Sequence, residues 1–198
     1  MNPGKALIIV HDGFTDSEFI VAYYRCREEG INVMVATITG KNAIGEKGCV
    51  AKADFNTGDA YYITTKRHSF DGLMGLWDMI ILPGGVKSIE KVRQDNATIN
   101  LVRLHDQNSR IIATMCHGAQ IMIEANLCRG RKISGYYSIK KDLENAGAEY
   151  KREVTVDANL VSAPHYDFNG EWVREWIRLW REFLSSQQEI GTYGNRTQ

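Results

Sequence analysis

Ala6-Leu7-Ile8-Ile9-Val10 is an unbroken apolar run of strand length, and its reading decides the fold. A strand with one wet face alternates polar and apolar residues, whereas a run without alternation fits a strand covered on both sides, as in a parallel sheet. A helix is expected next. Thr15-x-x-Glu18 is a capping-box pattern, Phe14 can staple onto Phe19, and Phe19, Ile20, Tyr23 and Tyr24 recur at helical spacing before Gly30. Asn32-Val33-Met34-Val35-Ala36-Thr37 reads as the following strand and completes a strand–helix–strand unit.

The alternation resumes downstream. Met79-Ile80-Ile81-Leu82 is a strand of the same buried type, ended by Pro83-Gly84-Gly85. Residues 88–105 read as one helix, 110–114 as a strand, and a further helix begins directly after Cys116. A short strand at 132–135, a helix capped by Ser138 and stopped by Gly147, and a strand pair at 153–156 and 159–162 turning about Asp157-Ala158 follow. Residues 39–76 are rich in glycine and charge, with short β-prone pieces at 49–55 and 61–65, so a small hairpin or sheet excursion is expected there. The last helix, from about Asn169 to Ser186, sets Trp172, Trp176, Leu179, Trp180 and Phe183 on one stripe, a pattern of core packing. A frayed polar tail is expected beyond it. Strands alternating with helices imply a single α/β domain, residues 1–186, with a central mostly parallel sheet covered on both faces, followed by a C-terminal tail, 187–198.

Composition agrees with this and excludes other classes. The 198 residues suit one compact unit, and 43% hydrophobic with 24% charged residues rules out a disordered or fibrous chain. Lysine plus arginine equals aspartate plus glutamate at 24 each, so no whole-chain field draws the protein to nucleic acid or anionic lipid, and neither is an expected partner. No apolar run approaches the roughly 20 residues of a membrane span. The first apolar stretch meets His11 and Asp12 at once, too soon for a signal peptide, so the cytoplasm is the expected address. The four cysteines show no CxxC pairing and imply neither a disulfide nor a zinc framework.

In sheets of this kind, ligands bind beyond the carboxyl ends of the strands. Three turns reach that edge: Asp12 to Glu18, Pro83-Gly84-Gly85, and Cys116-His117-Gly118. A thiol that starts a helix faces unpaired backbone amides and the positive end of the helix dipole, which favour thiolate. Strand, turn and helix flanks with Gly118 nearby resemble a nucleophile elbow, so Cys116 is expected to be reactive rather than a buried structural cysteine. Cys26, Cys49 and Cys128 lack those flanks. His117 reads as general base and acid or as a polar residue packing at the helix start; adjacent side chains diverge, so contact with the thiol is not required. Glu18 is either the capping-box acid or a protonated carboxyl that donates to a thiolate. Glu90 is either a first-turn acid or an orienting partner for His117. Gly84 and Gly85 offer amides for an oxyanion pocket, and His11 and His165 are further candidates for the substrate side of the edge. No ligand spacing joins His11, Glu18, Cys116 and His165, so neither a metal nor a cofactor is expected.

Ile81-Leu82-Pro83-Gly84-Gly85, Cys116-His117-Gly118-Ala119-Gln120, Gly130-Arg131-Lys132, Tyr137-Ser138-Ile139-Lys140-Lys141-Asp142 and Asn145-Ala146-Gly147-Ala148-Glu149 together resemble the ThiJ/PfpI family of the class I glutamine amidotransferase-like superfamily. The likeness runs in order from about Lys5 to Phe183. It implies a flavodoxin-like three-layer sandwich, a nucleophile at Cys116, an acidic partner at Glu18, and a homodimer or larger homo-oligomer. In the PfpI branch the histidine after the cysteine pairs with a glutamate from a neighbouring subunit, and Glu90 resembles that residue, with one extra position after the PGG turn. Two departures stand out. Ser162-Ala163-Pro164-His165-Tyr166-Asp167-Phe168 replaces an arginine-containing loop, and residues 39–76 look longer than usual. Both are expected to border the pocket.

The expected activity is attack by a Cys116 thiolate on an electrophilic carbon of a small molecule, most simply C–N hydrolysis, amidase- or peptidase-like, through a thioester-type intermediate. Alternatives are hydratase, lyase, glyoxalase or deglycase chemistry on isocyanides or reactive carbonyls. From another class come a redox sensor or chaperone-like protein whose Cys116 is oxidised to a sulfinate, and a simple binding module.

Overall fold

Successive side chains of the Lys5–Val10 strand part to opposite faces: Ala6, Ile8 and Val10 enter one hydrophobic core, Leu7 and Ile9 the other. Met79 and Ile81 against Ile80 and Leu82 repeat the division one strand away. That double burial is why the runs lack polar alternation. The computed structural model describes residues 4–65 and 75–194, with side chains to 186.

In chain order the elements are β1 (Lys5–Val10), α1 (Asp16–Glu28), β2 (Asn32–Thr37), β3 (Ala43–Ile44), β4 (Val50–Ala51), β5 (Phe55–Asn56), α2 (Thr57–Thr65), β6 (Met79–Leu82), α3 (Val86–Val92), α4 (Asn96–Gln107), β7 (Ile111–Met115), α5 (Gln120–Glu124), β8 (Lys132–Ser134), α6 (Lys140–Asn145), β9 (Glu149–Lys151), β10 (Thr155–Asp157), β11 (Leu160–Ala163) and α7 (Asn169–Gly194). The main sheet has 7 strands in the order β10-β11-β7-β6-β1-β2-β5. Every pairing in it is parallel except β10 with β11. This is a flavodoxin-like α/β sandwich. Helices α1 and α7 cover one face, where Phe14, Phe19, Trp172 and Trp176 bury, while α3, α4 and α5 bring Ile89, Leu101, Val102 and Ile121 to the other. Phe14 and Phe19 meet as the staple requires, ring centroids 5.0 Å apart.

Several local expectations are corrected. Residues 88–105 are not one helix: Asp95 accepts from the Thr98 N–H at 3.0 Å and from its hydroxyl at 2.6 Å, so a new N-cap starts α4 and the chain turns between α3 and α4. The expected hairpin is β3–β4, but residues 61–65 lie in α2, where the buried Ala60 and Thr64, four apart, share one face. Residues 66–74 of that region lie outside the described residues. The strand β8 pairs with β9 in a separate two-stranded parallel sheet. Ser138 does not cap α6; it sits in a single 3-10 turn with no side-chain bond to the helix end. Helix α7 extends past Ser186 to Gly194, beyond the expected end. Among the described residues no helix is long and apolar enough to cross a membrane.

Candidate active site

The strand β7 delivers Met115 to the carboxyl edge of the sheet, and the chain then breaks sharply. Cys116 has φ +56°, a left-handed conformation that a side chain adopts at a cost of about 1–3 kcal/mol. Two glycines make room for that corner. A Cβ on Gly118 would lie 2.2 Å from the Leu82 carbonyl oxygen, and one on Gly84 would lie 2.7 Å from the Cys116 Cβ and 3.0 Å from Glu18 Oε2. Gly84 therefore lies between the thiol and the carboxyl.

The corner also turns consecutive side chains toward each other. Cys116 Sγ is 3.3 Å from His117 Nδ1, so the expected divergence of neighbours does not hold here. His117 Nε2 faces Ser138 Oγ at 3.4 Å, and its ring lies 4.9 Å from that of Tyr136. Backbone N–H groups of His117 and Gly85 point at the sulfur.

Glu18 is fully buried in α1. Thr15 makes no side-chain cap bond, so the capping box is not formed; instead Glu18 Oε2 accepts from the Gly84 N–H at 2.5 Å. Among the described residues Glu18 Oε1 has no partner. Burial pushes the Glu18 carboxyl up to about 8, against the Gly84 bond and with help from the charge of Glu46, so it is neutral at pH 7.

Cys116 itself corrects the acid-thiol expectation. It is only 7% exposed, and burial, followed by the charge of an ionised Glu18, pushes its thiol up to about 12 despite the two amides. The single 3-10 turn Cys116–Ala119 and the 5-residue α5 supply a weak dipole, and desolvation wins. At neutral pH the second cause lapses because Glu18 is protonated. Burial holds His117 below the ordinary imidazole range, so Nδ1 is free to take a proton from sulfur.

The remaining candidates divide. Glu90 is exposed in the second turn of α3, because that helix begins at Val86; the first-turn role is ruled out, and its backbone carbonyl accepts from Gln94 Nε2 at 2.6 Å. Among the described residues no hydrogen bond joins Glu90 to His117, whose nitrogens face Cys116 and Ser138. The His11 N–H donates to Ser88 Oγ at 2.9 Å while Nδ1 is buried without a partner among the described residues, and no hydrogen bond joins it to Cys116. His165 lies 3.0 Å from Asp167 Oδ2 and stacks near Tyr136, ring centroids 5.8 Å apart.

Sequence reading overlooked three side chains at this edge. Tyr136 donates its N–H to the Cys116 carbonyl at 3.1 Å, and Ser138 was read as a helix cap. Glu46 comes from the β3–β4 hairpin, which is tied down by Gly13 N–H to the Ile44 carbonyl at 2.7 Å and by Lys47 and Cys49 N–H groups on the Asp16 carboxylate at 2.8 and 2.7 Å. Only the proximity of Tyr136 and Ser138 to the quoted motif hinted at them; nothing local marked Glu46.

The model of the DJ-1/PfpI family matches residues 4–179. The chain is 34% identical over 176 residues to Deglycase PfpI of Pyrococcus furiosus, covering 88% of this chain and 98% of that protein. It is 31% identical over 178 residues to Protein/nucleic acid deglycase 2 of Escherichia coli, covering 88% and 96%. The crystal structure of Drosophila melanogaster DJ-1beta superposes with a TM-score of 0.76 at 22% identity, covering 91% of this chain and 90% of that one, a likeness of fold.

Proposed function

Because the chain belongs to the DJ-1/PfpI family, we propose that it is an enzyme in which Cys116 breaks a C–N bond between an amine and a carbon derived from a reactive carbonyl compound, the deglycase-type reaction. The observation that carries this reading is the contact of Cys116 Sγ with His117 Nδ1 at 3.3 Å on a strained corner with the neutral Glu18 behind it. The names of the relatives support it.

The thiol proton moves to His117 Nδ1 as sulfur bonds to the substrate carbon. The amides of Gly85 and His117 and the neutral carboxyl of Glu18 offset the charge that develops, an effect worth roughly 10²–10³ in rate per donor at other such sites. The C–N bond breaks and His117 returns the proton to the departing nitrogen. From a carbinolamine the sulfur-bound species is a hemithioacetal, which collapses to the free carbonyl compound and the thiol; from an amide it is a thioester, which water cleaves. We further propose that Glu90, exposed on α3, meets His117 of a second copy in a homo-oligomer.

The test measures amine release from a methylglyoxal adduct of N-acetyllysine, hydrolysis of peptide anilides and turnover of an isocyanide, for the native protein and Cys116→Ser. Amine release that depends on Cys116 is expected. Equal release by Cys116→Ser overturns the reading, cleavage of anilides alone replaces it with an amidase, and selective oxidation of Cys116 by peroxide with no turnover replaces it with a redox sensor. For the oligomer, light scattering is expected to exceed the 22.4 kDa of one chain, and Glu90→Gln to slow turnover.

A further inference from the structure

Aromatic rings lead away from the nucleophile in one direction. Tyr136, next to His117, lies 4.3 Å from the Tyr137 ring and 5.8 Å from that of His165, which in turn lies 3.7 Å from Tyr166. The row opens on a recess of about 580 Å³, a volume typical of small-molecule sites, walled by Tyr136, Tyr137, Lys140, Tyr150, Arg152 and His165. A larger recess of 970 Å³ lies between α1 and α7, but none of the candidate residues lines it.

Three features suit this trough to a ligand rather than to packing. Tyr137 is 73% exposed and Tyr166 47%, so these rings add little to the core and leave aromatic faces in water. Two cations stand on the rim: Lys140 lies 5.8 Å from the Tyr150 ring centre and 3.6 Å from Glu144, while the exposed Arg152 guanidinium pairs with no carboxylate among the described residues and is the one left for a ligand. The acid in the wall, Asp167, is already engaged by His165. Pro164, His165, Asp167 and Phe168 of this wall come from the stretch whose sequence differs from the pattern the chain otherwise resembles.

We propose that the trough holds the non-reacting part of the substrate and selects a planar aromatic group bearing an anionic substituent, the ring lying on Tyr136, Tyr137 and His165 and the anion on Lys140 and Arg152. This rests on the reading of Cys116 as a nucleophile for carbonyl-derived substrates. Offset stacking on an aromatic ring is attractive beyond the area it buries, and a guanidinium matches a carboxylate with two parallel hydrogen bonds. Tyr137, Lys140 and Arg152 are then specificity residues that do no chemistry.

Binding is tested apart from turnover. Calorimetry on Cys116→Ala is expected to show 4-acetylbenzoate binding about ten-fold more tightly than acetophenone, which lacks the anion, and more tightly than pyruvate, which lacks the ring. Lys140→Ala with Arg152→Ala removes the gap between the two aromatic ligands, and Tyr137→Ala weakens both; thermal unfolding checks that each variant folds. No binding of 4-acetylbenzoate, or binding that these changes leave untouched, overturns the trough. With the native protein, kcat/KM for amine release is expected to rise from the N-acetyllysine adduct of methylglyoxal to that of phenylglyoxal to that of 4-carboxyphenylglyoxal. Turnover without that order also overturns it, whereas binding in the expected order with no turnover sinks the proposed reaction and leaves the trough standing.

Discussion

Cys26 and Cys116 are both buried, and burial pushes both thiols up to about 12, yet their surroundings differ in kind. Cys26 lies on α1 in a hydrophobic core, with Arg25 and Glu29 the charges that reach it. Cys116 meets two backbone amides and an imidazole nitrogen, with a neutral carboxyl on the far side of Gly84. Resting acidity does not separate the two thiols. What separates them is a place for the proton to go and donors aimed at the anion that remains. Burial also serves the second purpose, because donors in a low-dielectric site act more strongly than in water.

The largest expected effect is in alkylation. Iodoacetamide at pH 7 should modify Cys116 on the order of 10²-fold faster than Cys26, read by peptide mass after timed quenching; equal rates would erase the distinction between them. His117→Ala should then slow Cys116 alkylation by roughly 10²-fold and leave Cys26 unaffected, since only the first thiol passes its proton to that ring.

Glu18 supplies a pH test. Its carboxyl titrates at about 8 in the folded chain against 4.5 for the ordinary group, so the folded state holds a proton that the unfolded state releases. Stability is therefore greatest below about pH 4.5 for this group and falls as pH rises toward about 8, with a slope of up to roughly 1.4 kcal/mol per pH unit. Denaturation of Glu18→Gln across that window should lack this fall. Above pH 8 the alkylation rate of Cys116 should climb more steeply in Glu18→Gln than in the native protein, because the native carboxylate opposes the thiolate. Ser138→Ala should have the smallest effect, a few-fold loss in turnover with stability changed by less than about 1 kcal/mol, since its contact with His117 is long and exposed.

Much of the scaffold was legible because its signals are local. Double-sided apolar runs at Ala6–Val10 and Met79–Leu82 mark buried strands whatever follows them, and the strand–cysteine–glycine order marks a corner at Cys116. The division of residues 88–105 was readable in principle from Asp95 and Thr98, but the apolar spacing runs through the break and masks it. Residues 61–65 misled because Tyr-Tyr-Ile-Thr-Thr has strand propensity and only packing made it helical.

By itself the sequence determined a parallel α/β sheet, the position of Cys116 at its carboxyl edge and the neighbourhood of Glu18, since backbone periodicity and turn chemistry act over a few residues. The tertiary structure alone decided the protonation of that pair, the contact between Cys116 and His117, the arrival of Glu46 from a distant hairpin and the aromatic trough. Titration and cavity shape depend on which groups come together across the fold: Glu18 reaches Gly84 over 66 positions of chain, and no local pattern encodes that meeting.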